Sequence, residues 1–256
     1  MPISRTLVAL LLCSAFALAQ PAKAASAASI SAKATLPIVF TKTVSADKAR
    51  TGDIVHAKTT QVATLPTGEL IPAGTEVTGH VVAAGGFVYD KTPYAKQKES
   101  QLTIQFDSLR LAGKDIALKV LVRAMADPLT SLGAREPKSS DLDPLGTVTQ
   151  IGGDQLVPSQ SEVVNMDGDV VAYNRGNGVY AHLIAHRDCD GSDNEVSVGI
   201  YSPSACGLYG FTNVAARETG SGAPSTVSLV STRTSPTVWR STTALLEVIS
   251  DGGVAR

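Results

Sequence analysis

The chain has 256 residues, with 22 lysines and arginines against 23 aspartates and glutamates, and a formal net charge of −1. A balanced charge argues against the strong basic field with which proteins bind nucleic acid or anionic lipid. About 230 residues remain after the N-terminal segment considered next, which is enough for one or two domains with a proper core.

The N-terminus has the parts of a bacterial export signal in their usual order. Arg5 supplies the positive charge, an apolar run follows from Leu7 to Ala19, and a small-residue cleavage site ends at Ala24. The apolar run is shorter than the roughly 20 residues that a membrane-spanning helix needs. We expect residues 1–24 to be a cleaved signal peptide, with cleavage after Ala19 as the alternative, and a periplasmic or secreted mature chain without a transmembrane segment.

Hydrophobic residues then alternate with polar ones in the pattern of half-buried strands. A low-complexity stretch at residues 25–35 is expected to be a flexible leader. Alternation is clear in Gln101–Asp107 and again in Ile116–Val122, and Gly113 between them suits a hairpin turn. These two segments are predicted to form a pair of strands.

Further strands are expected on both sides of this pair. Thr51–Ala63 and Thr75–Ala84 flank two predicted turns, at Pro66–Gly68 and Pro72–Gly74. The pattern breaks in a connector rich in proline, serine and aspartate. It resumes in strand-like pieces, the last within Ser225–Ile249.

The predicted fold class is mostly β: a soluble β-barrel or sandwich with a loop-rich, disulfide-bearing second region. Residues 36–126 are expected to form a barrel-like region, residues 127–157 the connector, and residues 158–256 a second β region. The last strands either complete the first barrel or belong to a separate domain.

Two of the three cysteines, Cys189 and Cys206, lie beyond the predicted signal peptide. An even number of cysteines in an oxidising compartment indicates a disulfide. The prediction is one bond that closes a short loop, and the alternative is two separate thiols.

The same loop carries the candidate metal-ligating residues. Four carboxylates follow one another around Gly191: Asp188, Asp190, Asp193 and Glu195. Such a cluster can wrap a calcium ion, but Gly191 comes too early for a calcium-loop motif. A solvated loop is the alternative. His182 and His186 have a metal-like spacing, yet the segment is strand-like, which would place them about 13 Å apart and too far for one zinc ion.

The turn and strand chemistry of residues 50–125 resembles the periplasmic β-barrel of the TrbI-like family. The members of that family are scaffold subunits of type IV secretion and conjugation machines. The matching residues are Ile71, Pro72, Gly74, Thr75, Val77, Gly79, Phe106, Leu109, Gly113 and Ile116. The resemblance implies a barrel in a non-enzymatic envelope protein, so it carries over no catalytic residue.

This chain differs from the family in two places. The signal peptide stands where a typical member has a cytoplasmic tail, an inner-membrane helix and a proline-rich stalk, and residues 140–215 have no counterpart. The chain is also similar as a whole to exported bacterial proteins that share segments at Gly152–Gln155, near residue 190 and at Ala205–Phe211. That second resemblance implies no activity.

These observations predict an exported structural or binding protein of the cell envelope, without catalysis or cofactor. Its expected partner is a protein or envelope component, including a second copy of the chain. The alternative is a secreted hydrolase or carbohydrate-active protein. Its site would lie in residues 150–215, where His182, His186 and the four carboxylates cluster.

Overall fold

The computed structural model of the chain describes residues 33–64, 69–93, 96–136, 146–176, 178–217 and 225–249. The predicted signal peptide, residues 25–32 of the predicted leader and the predicted turn at Pro66–Gly68 lie outside these residues. Thr35, the last residue of that leader, already belongs to the first strand. No helix in the described ranges has the length and apolar character needed to cross a membrane.

The described residues are mostly strand, with one short helix, α1 (Pro128–Gly133). This confirms the predicted β class. In chain order the strands are β1 (Thr35–Phe40), β2 (Val44–Ser45), β3 (Ile54–Thr59), β4 (Ala63–Thr64), β5 (Leu70–Ile71), β6 (Glu76–Gly85), β7 (Ser100–Leu111), β8 (Lys114–Ala117), β9 (Val120–Ala126), β10 (Val148–Thr149), β11 (Gln155–Leu156), β12 (Glu162–Val164), β13 (Val170–Arg175), β14 (Gly178–His182), β15 (Glu195–Ser197), β16 (Gly207–Tyr209), β17 (Ala215–Arg217), β18 (Thr226–Ser231), β19 (Thr237–Val238) and β20 (Thr243–Val248).

The larger sheet curls into a nearly closed barrel. Its strand order is β16-β9-β20-β1-β3-β6-β7-β18-β17, with β8 also paired to β7. Ser225 joins the two sides of the barrel: its amide donates to the Val120 carbonyl at 2.9 Å, and its hydroxyl accepts from the Val120 amide at 3.0 Å. The C-terminal strands β18 and β20 therefore lie in the same sheet as β1, β3 and β6 to β9, while β2 pairs with β19 and β4 with β5.

Alternation along each strand fills the barrel with apolar side chains. In β6, Val77 and Val81 are buried, while Thr78 and His80 between them are partly exposed. The rings of Phe40 and Phe106 meet inside the barrel with centroids 6.2 Å apart. The pattern of period two that is visible in the sequence thus produces one continuous core.

The hairpin predicted around Gly113 is present, but its second strand is shorter than expected. β7 and β8 are joined by Ala112 and Gly113, whose φ angles of 49° and 78° are both positive, as a two-residue hairpin turn of type I′ requires. The expected single strand Ile116–Val122 is wrong, because the chain leaves β7 after Ala117 and pairs with β20 as β9. The reason is that β18 occupies the rest of the same edge of β7, from Ser100 to Gln105.

A second sheet is an antiparallel meander in the order β10-β11-β12-β13-β14-β15. It has its own small core, which includes Val163, Ala172, Val179 and Val196. The stretch expected to be a plain connector therefore contains α1 and the first two strands of this sheet. Asp127 begins the helix by accepting a hydrogen bond from the Thr130 amide at 2.8 Å, and a proline follows it directly.

Candidate functional site

The second sheet is attached to the outer face of the barrel by side-chain hydrogen bonds. The Thr35 hydroxyl on β1 donates to the Ser197 carbonyl on β15 at 2.5 Å. Gln61, which follows β3, uses both atoms of its amide on Val179 of β14, with both distances 3.1 Å. These bonds hold β14 and β15 at a fixed position on the barrel wall.

A cleft of about 700 Å³ lies between the barrel and the second sheet. It is formed by β1, β3 and the turn at residues 72–74 on the barrel side, and by β10, β11, β14, residues 199–200 and the end of α1 on the other. Most of its side chains are apolar, and two are cationic. The lining residues are Val39, Lys58, Thr59, Thr60, Gln61, Ala73, Gly74, Ala134, Arg135, Val148, Leu156, Pro158, Val179, Gly199 and Ile200.

The neutral polar side chains of the cleft are engaged within the protein. The Thr59 hydroxyl donates to the Pro72 carbonyl at 2.7 Å, and the Thr60 hydroxyl donates to the Pro37 carbonyl at 3.2 Å. Gln61 is held by Val179, as described above. These groups shape the cleft. Both threonine hydroxyls donate to backbone carbonyls and not to a base, so neither is activated as a nucleophile.

The two cations of the cleft are available to a ligand. Lys58 and Arg135 are both exposed, and neither makes an ion pair within the described ranges. Glu76, the cross-strand neighbour of Lys58, instead directs its carboxylate to His56 at 3.7 Å and Arg110 at 3.8 Å. The cleft therefore presents positive charge beside apolar surface.

The predicted disulfide is confirmed. Cys189 and Cys206 are bonded, with their Cα atoms 5.9 Å apart and a sequence separation of 17. Cys206 is buried. The bond closes a loop that contains β15, and the Sγ atom of Cys189 lies 3.6 Å from the carbonyl oxygen of Arg123 on β9.

Arg123 is the buried cation that organises this loop. It is the extra residue of a bulge in β9, which turns its side chain outward from the barrel. Its guanidinium donates to four backbone carbonyls at 2.5 to 3.3 Å: that of Ile184, just before the loop, and those of Asp190, Pro203 and Ala205 within it. Burial lowers the pKa of Arg123, although a guanidinium stays charged at neutral pH.

Glu247 on β20 is the carboxylate nearest to this guanidinium. Its Oε2 atom lies 3.7 Å from Nη1 of Arg123. Burial raises the pKa of Glu247, and the positive charge of Arg123 opposes that rise. The arrangement stabilises the loop, because a buried charge with several hydrogen-bond partners costs far less than an unpaired one.

The four carboxylates considered as calcium ligands are exposed around the disulfide loop. Glu195 on β15 pairs with Arg175 on β13, and Asp190 faces the Arg123 and Glu247 pair. In the described part of the chain, no three His, Cys, Asp or Glu side chains come close enough together to hold a metal ion.

The two histidines of the same region are also exposed. His182 stands opposite Glu195 in the sheet, whereas His186 lies in a tight turn, hydrogen-bonded through its backbone to Cys189. The structure thus distributes the residues of the alternative hydrolase site over two strands, a turn and the loop before β15.

Behind the cleft lie two buried side-chain atoms without a partner in the described residues, Oε1 of Gln150 and Oδ2 of Asp154. The side-chain Nε2 of Gln150 donates to the carbonyl of Gly199, a lining residue, at 3.2 Å. Burial raises the pKa of Asp154, and a hydrogen bond with Ser202 opposes the rise. This buried carboxyl is a cost to stability at neutral pH.

A different polar cluster lies on the outer face of β6 and β7. Nδ1 of His80 is 2.8 Å from Oδ2 of Asp107, and the hydroxyls of Thr78 and Ser108 are 2.9 Å apart. These are cross-strand pairs on partly exposed residues, which is the usual means of stabilising two adjacent strands.

Sequence reasoning missed the cleft altogether. Lys58 and Arg135 are 77 positions apart in the numbering and belong to no motif. The only local signal was the Asp127-Pro128 helix start, which indicates that Arg135 follows a turn of helix. Comparison with protein-family models, with curated proteins and with solved structures gives no match.

Proposed function

We propose that this protein is an exported cell-envelope protein that binds a ligand without catalysis, and that the cleft between the barrel and the second sheet is its binding site. One observation carries the proposal: both sheets contribute to a cleft of about 700 Å³ with a mainly apolar lining. Small-ligand sites are typically concave, mainly apolar and roughly 300–1,000 Å³ in volume.

The way the two sheets are joined supports a pre-formed site. Hydrogen bonds from Thr35 and Gln61 hold the second sheet on the barrel from one side of the cleft. On another side, the hydroxyl of Tyr201 lies 2.8 Å from that of Thr243 on β20. A cleft with fixed walls loses little entropy on binding, which favours affinity.

The composition of the lining supports binding over catalysis. Among the described residues that line the cleft, Lys58 and Arg135 alone are titratable, and the two threonine hydroxyls donate to backbone carbonyls. General acid–base chemistry would need a positioned group that gains or loses a proton near neutral pH. The N-terminal signal pattern and the resemblance to TrbI-like barrels support placing this binding function in the cell envelope.

The test is to purify the full-length protein under native conditions from a bacterial host with a periplasm. Expected results are a periplasmic location, a mature N-terminus at Ala25, and a bound small molecule in native mass spectrometry that denaturation releases. Cytoplasmic retention with an intact N-terminus would contradict the export part.

A variant that fills the cleft tests the binding part. Ala73 is an exposed lining residue, so Ala73→Trp should block the cleft at little cost to folding. Ala117→Trp is the control, because Ala117 is exposed on β8 and does not line the cleft. We expect the bound mass to remain on the control and to disappear from Ala73→Trp. An equal bound mass on both variants, or none on the wild type, would overturn the proposed site.

A further inference from the structure

We propose that the ligand of this cleft is an amphipathic anion: a single carboxylate or phosphate group joined to an apolar chain. The inference rests on the function proposed above and names the chemical class of its ligand. It follows from three properties of the lining, namely its apolar surface, the sign of its charges and the state of its neutral polar groups.

The apolar surface comes from both sheets. Val39 lies on the barrel side, and Val148, Leu156, Val179 and Ile200 lie on the side of the second sheet. An alkyl or similar chain placed between them is removed from water on two faces. Burial of apolar area on this scale is the main favourable contribution to binding such a chain.

Among the described residues of the lining, the charges have one sign. Lys58 and Arg135 are cationic, and none of these residues is an aspartate or glutamate. They come from different parts of the chain, β3 and the residues just after α1, and the fold places both on the lining of one cleft. An anionic headgroup bound there accepts charge-assisted hydrogen bonds from cationic side chains.

The neutral polar groups argue against a sugar or another polyol as the ligand. Thr59, Thr60 and Gln61 already have hydrogen-bond partners within the protein. A polyol would have to displace these bonds to satisfy its own hydroxyls, and most of its polar surface would face apolar side chains. An amphipathic anion makes no such demand, because its polar part is confined to one end.

The experiment uses four defined probes on the full-length protein after removal of any copurified ligand. Dodecanoate and dodecyl phosphate test the two anionic headgroups, dodecanol tests the chain without charge, and inorganic phosphate tests the headgroup without the chain. Binding is measured by calorimetry below the critical micelle concentration of each probe. We expect both anions to bind at least about tenfold more tightly than dodecanol, and inorganic phosphate to bind weakly or not at all.

Charge variants test the role of the two cations. The double variant Lys58→Gln with Arg135→Gln should weaken dodecanoate at least about tenfold and leave dodecanol unchanged. The matched control is Lys114→Gln with Arg240→Gln, which removes the same charges from exposed residues outside the cleft. Added salt should weaken dodecanoate binding to the wild type and have little effect on dodecanol.

The outcomes separate this inference from the proposed function. Equal binding of dodecanol and dodecanoate, abolished by Ala73→Trp, would overturn the anion preference and leave the cleft as a binding site. Tight binding of inorganic phosphate alone would overturn the need for an apolar chain. Failure of both anions to bind would overturn the inference, while the native mass spectrometry of the purified protein decides separately whether the cleft binds another ligand.

Discussion

Arg123 donates a hydrogen bond from Nη2 to the carbonyl oxygen of Ile184 at 2.7 Å. This bond joins a bulge in the barrel wall to the segment that leads into the disulfide loop. Three further carbonyls of that loop accept hydrogen bonds from the same guanidinium. A single side chain thus fixes the position of the loop, and replacing it should affect the whole region.

Arg123→Met is expected to destabilise the protein by about 3–5 kcal/mol, because it leaves Glu247 and several buried carbonyls without a donor. Arg123→Lys should lose less, since an ammonium group supplies fewer donors in a less suitable geometry. Urea unfolding measures both. Arg110→Met is the control, because Arg110 is exposed and its solvent-screened ion pair with Asp115 should contribute little to stability. Similar losses for Arg123→Met and Arg110→Met would contradict the role given to Arg123.

Removal of the disulfide should destabilise the protein without unfolding it. The variant with both Cys189→Ala and Cys206→Ala is expected to lose about 3 kcal/mol, because the bond closes a loop with a sequence separation of 17. Urea unfolding of the oxidised protein, the reduced protein and the variant measures the loss. Peptide mapping with and without reduction should show the two cysteines linked. Two thiols open to alkylation in the native, unreduced protein would refute this prediction.

Asp154 should make stability depend on pH in mildly acidic solution. Burial raises the pKa of its carboxyl in the folded protein, so the folded state holds this proton to higher pH than the unfolded state. The stabilisation from the protonated form is therefore complete below the unfolded pKa and is lost as pH rises through the folded pKa. Asparagine has no proton to lose in this range. The unfolding free energy of Asp154→Asn should therefore rise relative to that of the wild type as pH increases.

The check is the difference in unfolding free energy between the wild type and Asp154→Asn, measured from about pH 3 to about pH 7. Taking the difference cancels the contribution of other groups, including Glu247, whose raised pKa gives a trend of the same sign. Asp188→Asn, at an exposed residue, is the control for the loss of one negative charge. A difference for Asp154→Asn that does not change with pH would show that the carboxyl is not strained by burial.

Gly79 is required by close contact between β6 and β7. A Cβ atom at this position would overlap the backbone carbonyl of Gln105, beside a register shift in the pairing of the two strands. Gly79→Ala is therefore expected to cost about 1–3 kcal/mol in thermal or urea unfolding. Gly85→Ala in the same strand is the matched control, because its Cβ would meet nothing within 4 Å. Equal stability of the two variants would contradict the predicted clash. It would mean that the backbones of β6 and β7 can separate at Gly79.

The extent to which sequence predicted this structure depended on how local each feature is. Alternation in Gln101–Asp107 and the turn at Gly113 were predictable, since neighbouring residues determine both the face of a strand and the geometry of a two-residue turn. The break between β8 and β9 was not, because it depends on which strand occupies the remaining edge of β7. That strand, β18, lies more than a hundred residues further along the chain.

The candidate site also combines a feature that was predictable from the sequence with one that was not. The pairing of Cys189 with Cys206 was predictable from composition and the expected export, because two cysteines lie beyond the predicted signal peptide. The cleft needed the tertiary structure, because Lys58 and Arg135 line the same cleft only when the second sheet and α1 are docked on the barrel.

By itself, the sequence determined the β class, the main strand segments and the disulfide, because these depend on periodicity, turn residues and a count of cysteines. Only the tertiary structure decided that the C-terminal strands complete the first sheet, that Arg123 faces the disulfide loop, and that a cleft with two cations lies between the sheets. The physical reason is that strand edges and packed faces are satisfied by partners far away in sequence. Their identity is set by the free energy of the whole packing and not by any local pattern.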